Sequence, residues 1–376
     1  MVEFVNLICK VRITFFLFVV LIVVSCEKVP SKGDEDVDQD PITGYVNLSE
    51  SSTANCYIVN QGGSYRISAV RGNDASNMLL TAKTAEVLWE SFGSSLSIGA
   101  GALIKSVIYK DGYICFKTND YFKKGNAVVA AKDESGNILW SWHIWITDQP
   151  QEHVYNNDAG TLMDRNLGAT SAEPDIYSVG LMYQWGRKDP FMGPSSFDQN
   201  REFAKSSITW PTPVASDPSA GTVEYAIANP TTFITYNANN KGWYYTPSAQ
   251  MTDASWGWTD SKKGKSIYDP CPAGWRVPDG GREGVWEKAG FNDIASEYVD
   301  EKGVYANMSS SLKIWFPNSG YLSGAGSLQN PGHGCCWSAS LYWHQSHLFV
   351  SSSMGFHSIY SPYNRATAIP VRCIKE

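Results

Sequence analysis

The 376-residue chain carries 30 Lys and Arg against 37 Asp and Glu, a formal net charge of −7. With no basic cluster anywhere, that balance argues against a nucleic-acid partner, because phosphate contacts need grouped cations. Charged residues make up 18 % of the chain and aromatics 13 %, a composition suited to extracellular β proteins and glycan binders more than to intracellular enzymes.

At the amino terminus Lys10 and Arg12 precede an apolar run from Ile13 to Val24 that closes on Ser25 and Cys26. A basic start, an apolar core of about a dozen residues and a small residue before the cut describe a secretory signal; a membrane span needs about 20. The cysteine directly after that small residue resembles the lipobox of bacterial lipoproteins. Residues 1–25 are therefore expected to be a signal peptide, and Cys26 the lipidated residue, carrying palmitate-type chains. Glu27 to Asp40 has almost no apolar residues and carries Asp34, Glu35, Asp36, Asp38 and Asp40. Such a segment cannot bury enough surface to fold, so 26–44 are expected to be an acidic flexible tether. An acidic run in that place resembles the export signal of surface lipoproteins in Bacteroidetes-type bacteria. The expected location is the outer membrane, lipid-anchored and exposed at the cell surface. No second apolar run is long enough to span a bilayer, so the lipid is the expected membrane partner.

Residues 45–150 read as strands and tight turns. Ile104 to Tyr109 and Tyr113 to Lys117 flank Asp111-Gly112, a pair suited to a type I′ hairpin because both central positions need positive φ. Ala127 to Ala131 and Ile138 to Thr147 flank a second hairpin signal, Gly136-Asn137. In the latter strand Ile138, Trp140, Trp142, Ile144 and Ile146 alternate with smaller or more polar residues, which puts five apolar side chains on one buried face. That alternation assigns the tryptophans of 140–145 to a core. Short strands at this spacing with little helix predict an immunoglobulin-like β-sandwich. The order Cys56, Trp89, Cys115 supports the sandwich class, although Trp89 lies further from the first cysteine than in antibody domains. A Cys56–Cys115 bond and two free buried thiols fit the sequence equally. Gln149-Pro150 closes the region, since proline cannot continue a central ladder.

From His153 the strand-like pieces shorten and Gly, Pro, Asn, Ser and Trp increase. Asp279 is the expected cap of a helix that places Val285, Trp286 and Ala289 on one side and ends at Gly290. Pro190 to Ser266 is polar and rich in aromatics, and reads as loops and short strands folded onto the domain.

Five motifs then occur in order: Met163-Asp-Arg-Asn-Leu-Gly168, Tyr183-Gln-Trp-Gly-Arg187, Tyr268-Asp-Pro-Cys-Pro-Ala-Gly-Trp-Arg-Val-Pro278, Trp337-Ser-Ala-Ser340 and Val371-Arg-Cys373. Together they resemble the Fibrobacter succinogenes major paralogous domain, common in lipoproteins of Bacteroidetes. The resemblance covers about Val154 to the carboxyl terminus, and residues 151–376 are assigned to that domain. It implies an α+β C-type-lectin-like fold shared with formylglycine-generating enzymes, so that the whole chain is β-rich with two domains. The region before it, including Thr53-Ala-Asn-Cys-Tyr-Ile-Val59, is similar to the sandwich often found in front of that domain. Four cysteines of the second domain allow three complete pairings. The resemblance favours Cys271–Cys373, like the end-closing bridge of C-type lectins. In physical terms the motifs specify a fold: Asp164 and Arg165 pair or cap turns, Pro270, Pro272 and Pro278 fix φ before the helix, and Trp275 and Trp286 fill the core.

The generating enzymes depend on a reactive cysteine pair. Cys335-Cys336 is the only pair close in sequence, and adjacent cysteines bond only through a strained ring. No catalytic activity is carried over, and an oxidative enzyme is the weakest of three readings. The six histidines show no metal-ligand spacing, neither His344 with His347 nor any Cys/His set, and the Glu-Pro-Asn and Trp-Asn-Asp triplets of calcium-dependent lectins are missing. No metal or other cofactor is expected. What remains is recognition by loops on a rigid scaffold. The candidate ligand residues are Tyr342, Trp343, His344 and Gln345 between two strands, and Tyr360, Tyr363 and Asn364 on a later turn from Phe356 to Asn364. Aromatics there suit stacking on sugars or protein contacts. The function expected is a non-catalytic adhesin, or a glycan- or protein-binding lipoprotein facing glycans or host and bacterial surface proteins. The alternative is a structural or tip subunit of a fimbria-like assembly.

Overall fold

Alternating apolar residues and closely spaced turn signals build a β-rich chain of many small sheets, 42 % strand and 6 % helix. The computed structural model describes residues 42–92, 95–98, 101–192, 212–238, 242–245, 256, 264–281, 284–291, 293, 296–300, 303–309, 311–329, 333–342, 345–352 and 355–376. The expected signal peptide, lipidated Cys26 and acidic run lie outside the described residues.

The first half begins with β1 (Val46–Asn47), β2 (Cys56–Val59), β3 (Ser64–Ser68), β4 (Val70–Arg71) and β5 (Asp74–Met78). It continues with β6 (Thr84–Phe92), β7 (Ser95–Ile98), β8 (Ile104–Lys110), β9 (Tyr113–Thr118), β10 (Gly125–Lys132) and β11 (Ile138–Ile146). Two larger sheets result, ordered β1-β3-β9-β8 and β2-β11-β10-β6-β7, and β4 pairs with β5 in a two-stranded ribbon. One core joins them: Ile67, Ile114 and Phe116 of the first sheet meet Val87, Val129, Trp140, Trp142, Ile144 and Ile146 of the second. Each such side chain contributes roughly 1.5–3 kcal/mol by leaving water.

The two hairpins are present, with different turns. Asp111 (φ 50°) and Gly112 (φ 82°) both take positive φ, as a type I′ turn requires. The β10–β11 connection is longer: Asp133 N donates to Asn137 O at 3.0 Å, and Gly136 alone carries the positive φ, 83°. A register shift between Ala131 and Lys132 absorbs the extra residue.

The immunoglobulin-type arrangement of Cys56, Trp89 and Cys115 does not form. Cys56 and Trp89 face away from the sandwich core, Cys115 lies on the other sheet, and both thiols are free and buried. The reason is a second core on the outer face of the five-stranded sheet. There Cys56, Trp89, Val128 and Trp145 pack against Met163, Leu167, Leu181 and Tyr183 of the second half. β11 is therefore buried on both faces, with Ser141, His143 and Trp145 no more than 2 % exposed.

Beyond Asp148 come β12 (Glu152–Tyr155), β13 (Gly160–Met163), β14 (Met182–Gln184), β15 (Val214–Ala215), helix α1 (Val223–Ala228) and β16 (Ile234–Thr235). Next are β17 (Trp275–Arg276), helix α2 (Val285–Lys288), β18 (Ser296–Asp300), β19 (Gly303–Asn307), β20 (Lys313–Pro317), β21 (Tyr321–Leu322) and β22 (Leu328–Gln329). The chain ends with β23 (Gly334–Tyr342), β24 (Gln345–Ser352), β25 (Gly355–Tyr363), β26 (Ala368–Pro370) and β27 (Ile374–Lys375). The sheet ordered β12-β13-β27-β17 returns the carboxyl terminus to the start of this half. The disulfide Cys271–Cys373 closes the same region, with Cα atoms 6.0 Å apart across 102 residues of sequence.

Two local expectations are corrected. Helix α2 is a single turn capped by the Gly284 backbone. Asp279 stands too far upstream and its carboxylate is taken by Arg276 at 2.9 Å, although its carbonyl still accepts from Val285 N. The stretch from Phe356 to Tyr363 is strand β25 and not a turn; it pairs with β24, and as an outer strand of its sheet it tolerates Pro362.

Polar side chains stitch the halves as closely as the shared core does. Asn55 Nδ2 donates to Ile267 O at 2.7 Å and to Asp269 O at 2.9 Å. Trp145 Nε1 reaches Ala169 O at 3.0 Å, and Ser141 Oγ reaches Asp189 Oδ1 at 2.6 Å. Pro41–Glu376 consequently form one compact unit.

Candidate functional site

The residues expected to bind ligand are only partly brought together. Trp343 and His344 lie outside the described residues. Tyr342 and Gln345 pair across the β23–β24 hairpin, and Ser346 pairs with Tyr363, so these positions share one end of the three-stranded sheet. Asn364 follows directly, but its carboxamide accepts from Ala366 N at 3.0 Å and its carbonyl from Thr367 N at 2.9 Å, which makes it a turn-former. Tyr360 sits further along β25, beyond the pair Leu348–Ser361.

A second constellation has the residue types of cysteine hydrolases. His143 Nδ1 stands 3.4 Å from Cys56 Sγ, and its Nε2 stands 2.8 Å from Asn126 Oδ1. Nucleophilic catalysis needs a thiolate and a reachable sulfur. Here burial pushes the Cys56 thiol well up and the His143 imidazole down to about 3, so both are neutral at pH 7. Exposure is 1 % for Cys56, 2 % for His143 and 6 % for Asn126. The neutral ring donates from Nε2 to Asn126 and accepts from the thiol at Nδ1, a tautomer assigned from the network. Asn126 Nδ2 passes the chain on to Gly168 O at 2.9 Å. The arrangement joins the five-stranded sheet to the turn after β13.

An open cleft of about 670 Å³ lies beside this seam, where the two halves meet. β12 supplies His153, and the turn after β13 supplies Asp164 and Arg165. β19 and β20 supply Tyr305, Lys313 and Trp315, whose alternation places Lys313 and Trp315 on the same face. Lys124 and Asp148 come from the first half. Thr170 and Ser171 connect it to a neighbouring groove of about 350 Å³ beside Phe92, Lys123 and Tyr177.

The cations of the cleft are paired internally, and Glu173 adds a further carboxylate to its lining. Arg165 is bidentate on Asp164, at 2.8 and 2.9 Å, and also reaches Asp148 at 3.1 Å. Lys124 pairs with Asp148 as well. Partial burial alone would raise the Asp148 pKa, but Lys124 and Arg165 hold it well below the carboxylate range. Lys313 pairs with Glu297 at 2.6 Å. Tyr305 forms an aromatic wall backed by the buried Trp315, with centroids 5.0 Å apart, and the indole is fixed by a 2.9 Å bond from its Nε1 to Ser178 Oγ. His153 is half-buried, and its Nδ1 has no partner among the described residues. Burial, with help from the Arg372 charge, lowers its pKa, against an opposing pull from Asp164. Among the described residues no three His, Cys, Asp or Glu side chains gather as metal ligands.

No family model, no curated protein and no solved structure matches the chain. The cleft has no continuous signature in the sequence. Asp164 and Arg165 were legible as a pair, but Asp148, His153, Lys313 and Trp315 are separated by up to 167 positions and meet only through the packing of the halves. The one local signal was Lys313-Ile-Trp315, a strand alternation with an aromatic beside a cation.

Proposed function

We propose that the chain is a non-catalytic surface lipoprotein, acylated at Cys26 and held on the outer membrane, that binds glycans or surface proteins. Its architecture is read as an immunoglobulin-like sandwich followed by a C-type-lectin-like domain of the Fibrobacter succinogenes major paralogous type. Support for the first element is the pair of facing sheets with one core. Support for the second is the Cys271–Cys373 bridge together with the motif order, on which that resemblance rests.

The observation that carries binding is the junction cleft: open, polar, walled by Tyr305 over the buried Trp315, with its cations already paired. Pockets of several hundred Å³ with an aromatic side and a few fixed polar groups are what ligands occupy. The test is to screen the lipid-free chain from residue 41 onward against glycan and host-protein arrays, and to compare Cys26→Ser with the parent for membrane retention. Binding on the arrays, with release of the variant from membranes, is the expected result. Silence on every array would remove the binding function, and undiminished membrane retention of Cys26→Ser would remove the anchor.

One observation favours a second reading. β8, seven residues long, lies at an outer position of its sheet and offers a strand edge on which another chain could add. A fimbria-like subunit would migrate in a high-mass polymer when extracted natively; a monomeric extract would count against this reading.

A further inference from the structure

Within the junction cleft, one buried side-chain nitrogen, His153 Nδ1, has no hydrogen-bond partner among the described residues. The imidazole of His153 makes no hydrogen bond among the described residues, although it is half-buried and its backbone is fixed by pairing with Leu162. Every cation on the same walls is occupied: Arg165 by Asp164 and Asp148, Lys124 by Asp148, Lys313 by Glu297. An anionic ligand would have to compete with these internal carboxylates. An apolar ligand would strip water from the same charges and return nothing. A ligand rich in hydroxyls does neither, because each hydroxyl both donates and accepts.

We propose that the junction cleft binds an uncharged oligosaccharide, with the His153 imidazole reading one of its hydroxyls and Tyr305, backed by the buried Trp315, forming the apolar side of the site. This rests on the binding function proposed above and moves its site away from the β23–β24 hairpin. The ligand is an extended chain and not a single ring, because the cleft continues past Thr170 and Ser171 into the groove beside Tyr177, a residue 44 % exposed. A neutral imidazole suits the task, since it offers one donor and one acceptor to an alcohol. Its Nδ1 has no internal partner to fix the ring, so a half-turn about the Cβ–Cγ bond can present either edge to the cleft.

The experiment uses the full chain in detergent, immobilised and exposed to tagged oligosaccharides of glucose, mannose, galactose, xylose and N-acetylglucosamine. A parallel set carries sulfate or carboxylate groups. Expected is binding of at least one uncharged chain that His153→Phe weakens about tenfold or more, the equivalent of one hydrogen bond. The melting temperature of that variant should be unchanged, because the ring has no internal hydrogen bond to lose. His153→Gln, which keeps a donor and an acceptor, should recover part of the affinity. Ala172→Trp, which fills the cleft from its wall, should abolish binding, while Tyr342→Ala and Gln345→Ala should not alter it. Binding that survives His153→Phe and Ala172→Trp, or that follows the hairpin variants, overturns the cleft assignment and leaves the binding function standing. Binding confined to the acidic set overturns the ligand class. No binding by either set overturns the inference, and the function itself falls only if protein arrays are silent too.

Discussion

His143 illustrates how a residue that looks reactive becomes structural once both faces of its strand are covered. Its folded pKa of about 3 lies below the unfolded value of about 6.5, so between those values the unfolded chain binds a proton that the folded chain refuses. Stability from this group is fully present above pH 6.5 and is lost as pH falls towards 3, up to roughly 4–5 kcal/mol. Asp269 has the opposite sign. Burial raises its carboxyl to about 6, against the pull of Lys265, so its contribution is present below the ordinary carboxylate value and lost as pH rises through 6. The two trends oppose each other between about pH 4 and 6. His143→Gln separates them. The variant is expected to be less stable than the parent at pH 7, by roughly 2–3 kcal/mol for a broken buried network. Urea unfolding repeated at pH 4.5 should show that gap closing. A gap of constant size would mean that His143 is charged, or solvated, in the folded chain.

At the scale of strands and turns, the legible features were those set by local sterics. The alternation from Ile138 to Ile146 and the pair Asp111-Gly112 dictated a strand and a turn that the structure contains. What escaped was decided by distant partners. Ser141 and His143 look like solvent-facing positions until the second half covers them, and Asp279 looks like a helix cap until Arg276 claims its carboxylate. The segment 356–363 carries turn-forming Ser and Pro, yet β24 recruits it as a strand. The candidate site follows the same rule, for its walls come from both halves. Two glycines make the contrast measurable. Gly112 and Gly72 both have positive φ, but a Cβ on Gly112 would meet only the Met78 methyl at 3.6 Å. A Cβ on Gly72 would lie 2.2 Å from Ile267 O across the junction. Gly112→Ala should cost about 1 kcal/mol, the strain of a left-handed residue alone. Gly72→Ala should cost clearly more, because the backbone it strikes belongs to the other half and cannot give way without opening the seam. Equal losses in chemical denaturation would show that the two halves do not approach there.

Seen whole, the molecule uses one sheet as the wall of two cores, and this determines how it must unfold. Trp140 and Trp142 point into the sandwich, while Trp145, from the same strand, points into the junction, where Cys56, Trp89 and Val128 join it. Stripping away the second half would expose that outer face to water at roughly 1.5–3 kcal/mol for each large side chain. It would also leave Asn55, Asn126, Ser141 and Trp145 Nε1 without the partners they hold across the seam. Domain stabilities are only about 5–15 kcal/mol, so the first half alone is left with little or nothing. The Cys271–Cys373 bridge, worth up to roughly 4–5 kcal/mol for a loop of about 100 residues, stabilises only the second half directly, yet the first half gains through the shared wall. Heating the chain from residue 41 onward should therefore give one calorimetric transition, with reduction of the disulfide lowering it for both halves together. A fragment of residues 41–150 should aggregate or lack the fixed near-ultraviolet signal of its tryptophans. A monomeric, cooperatively melting fragment, or two separate transitions in the full unit, would show that the junction is a contact between independent domains and not a core.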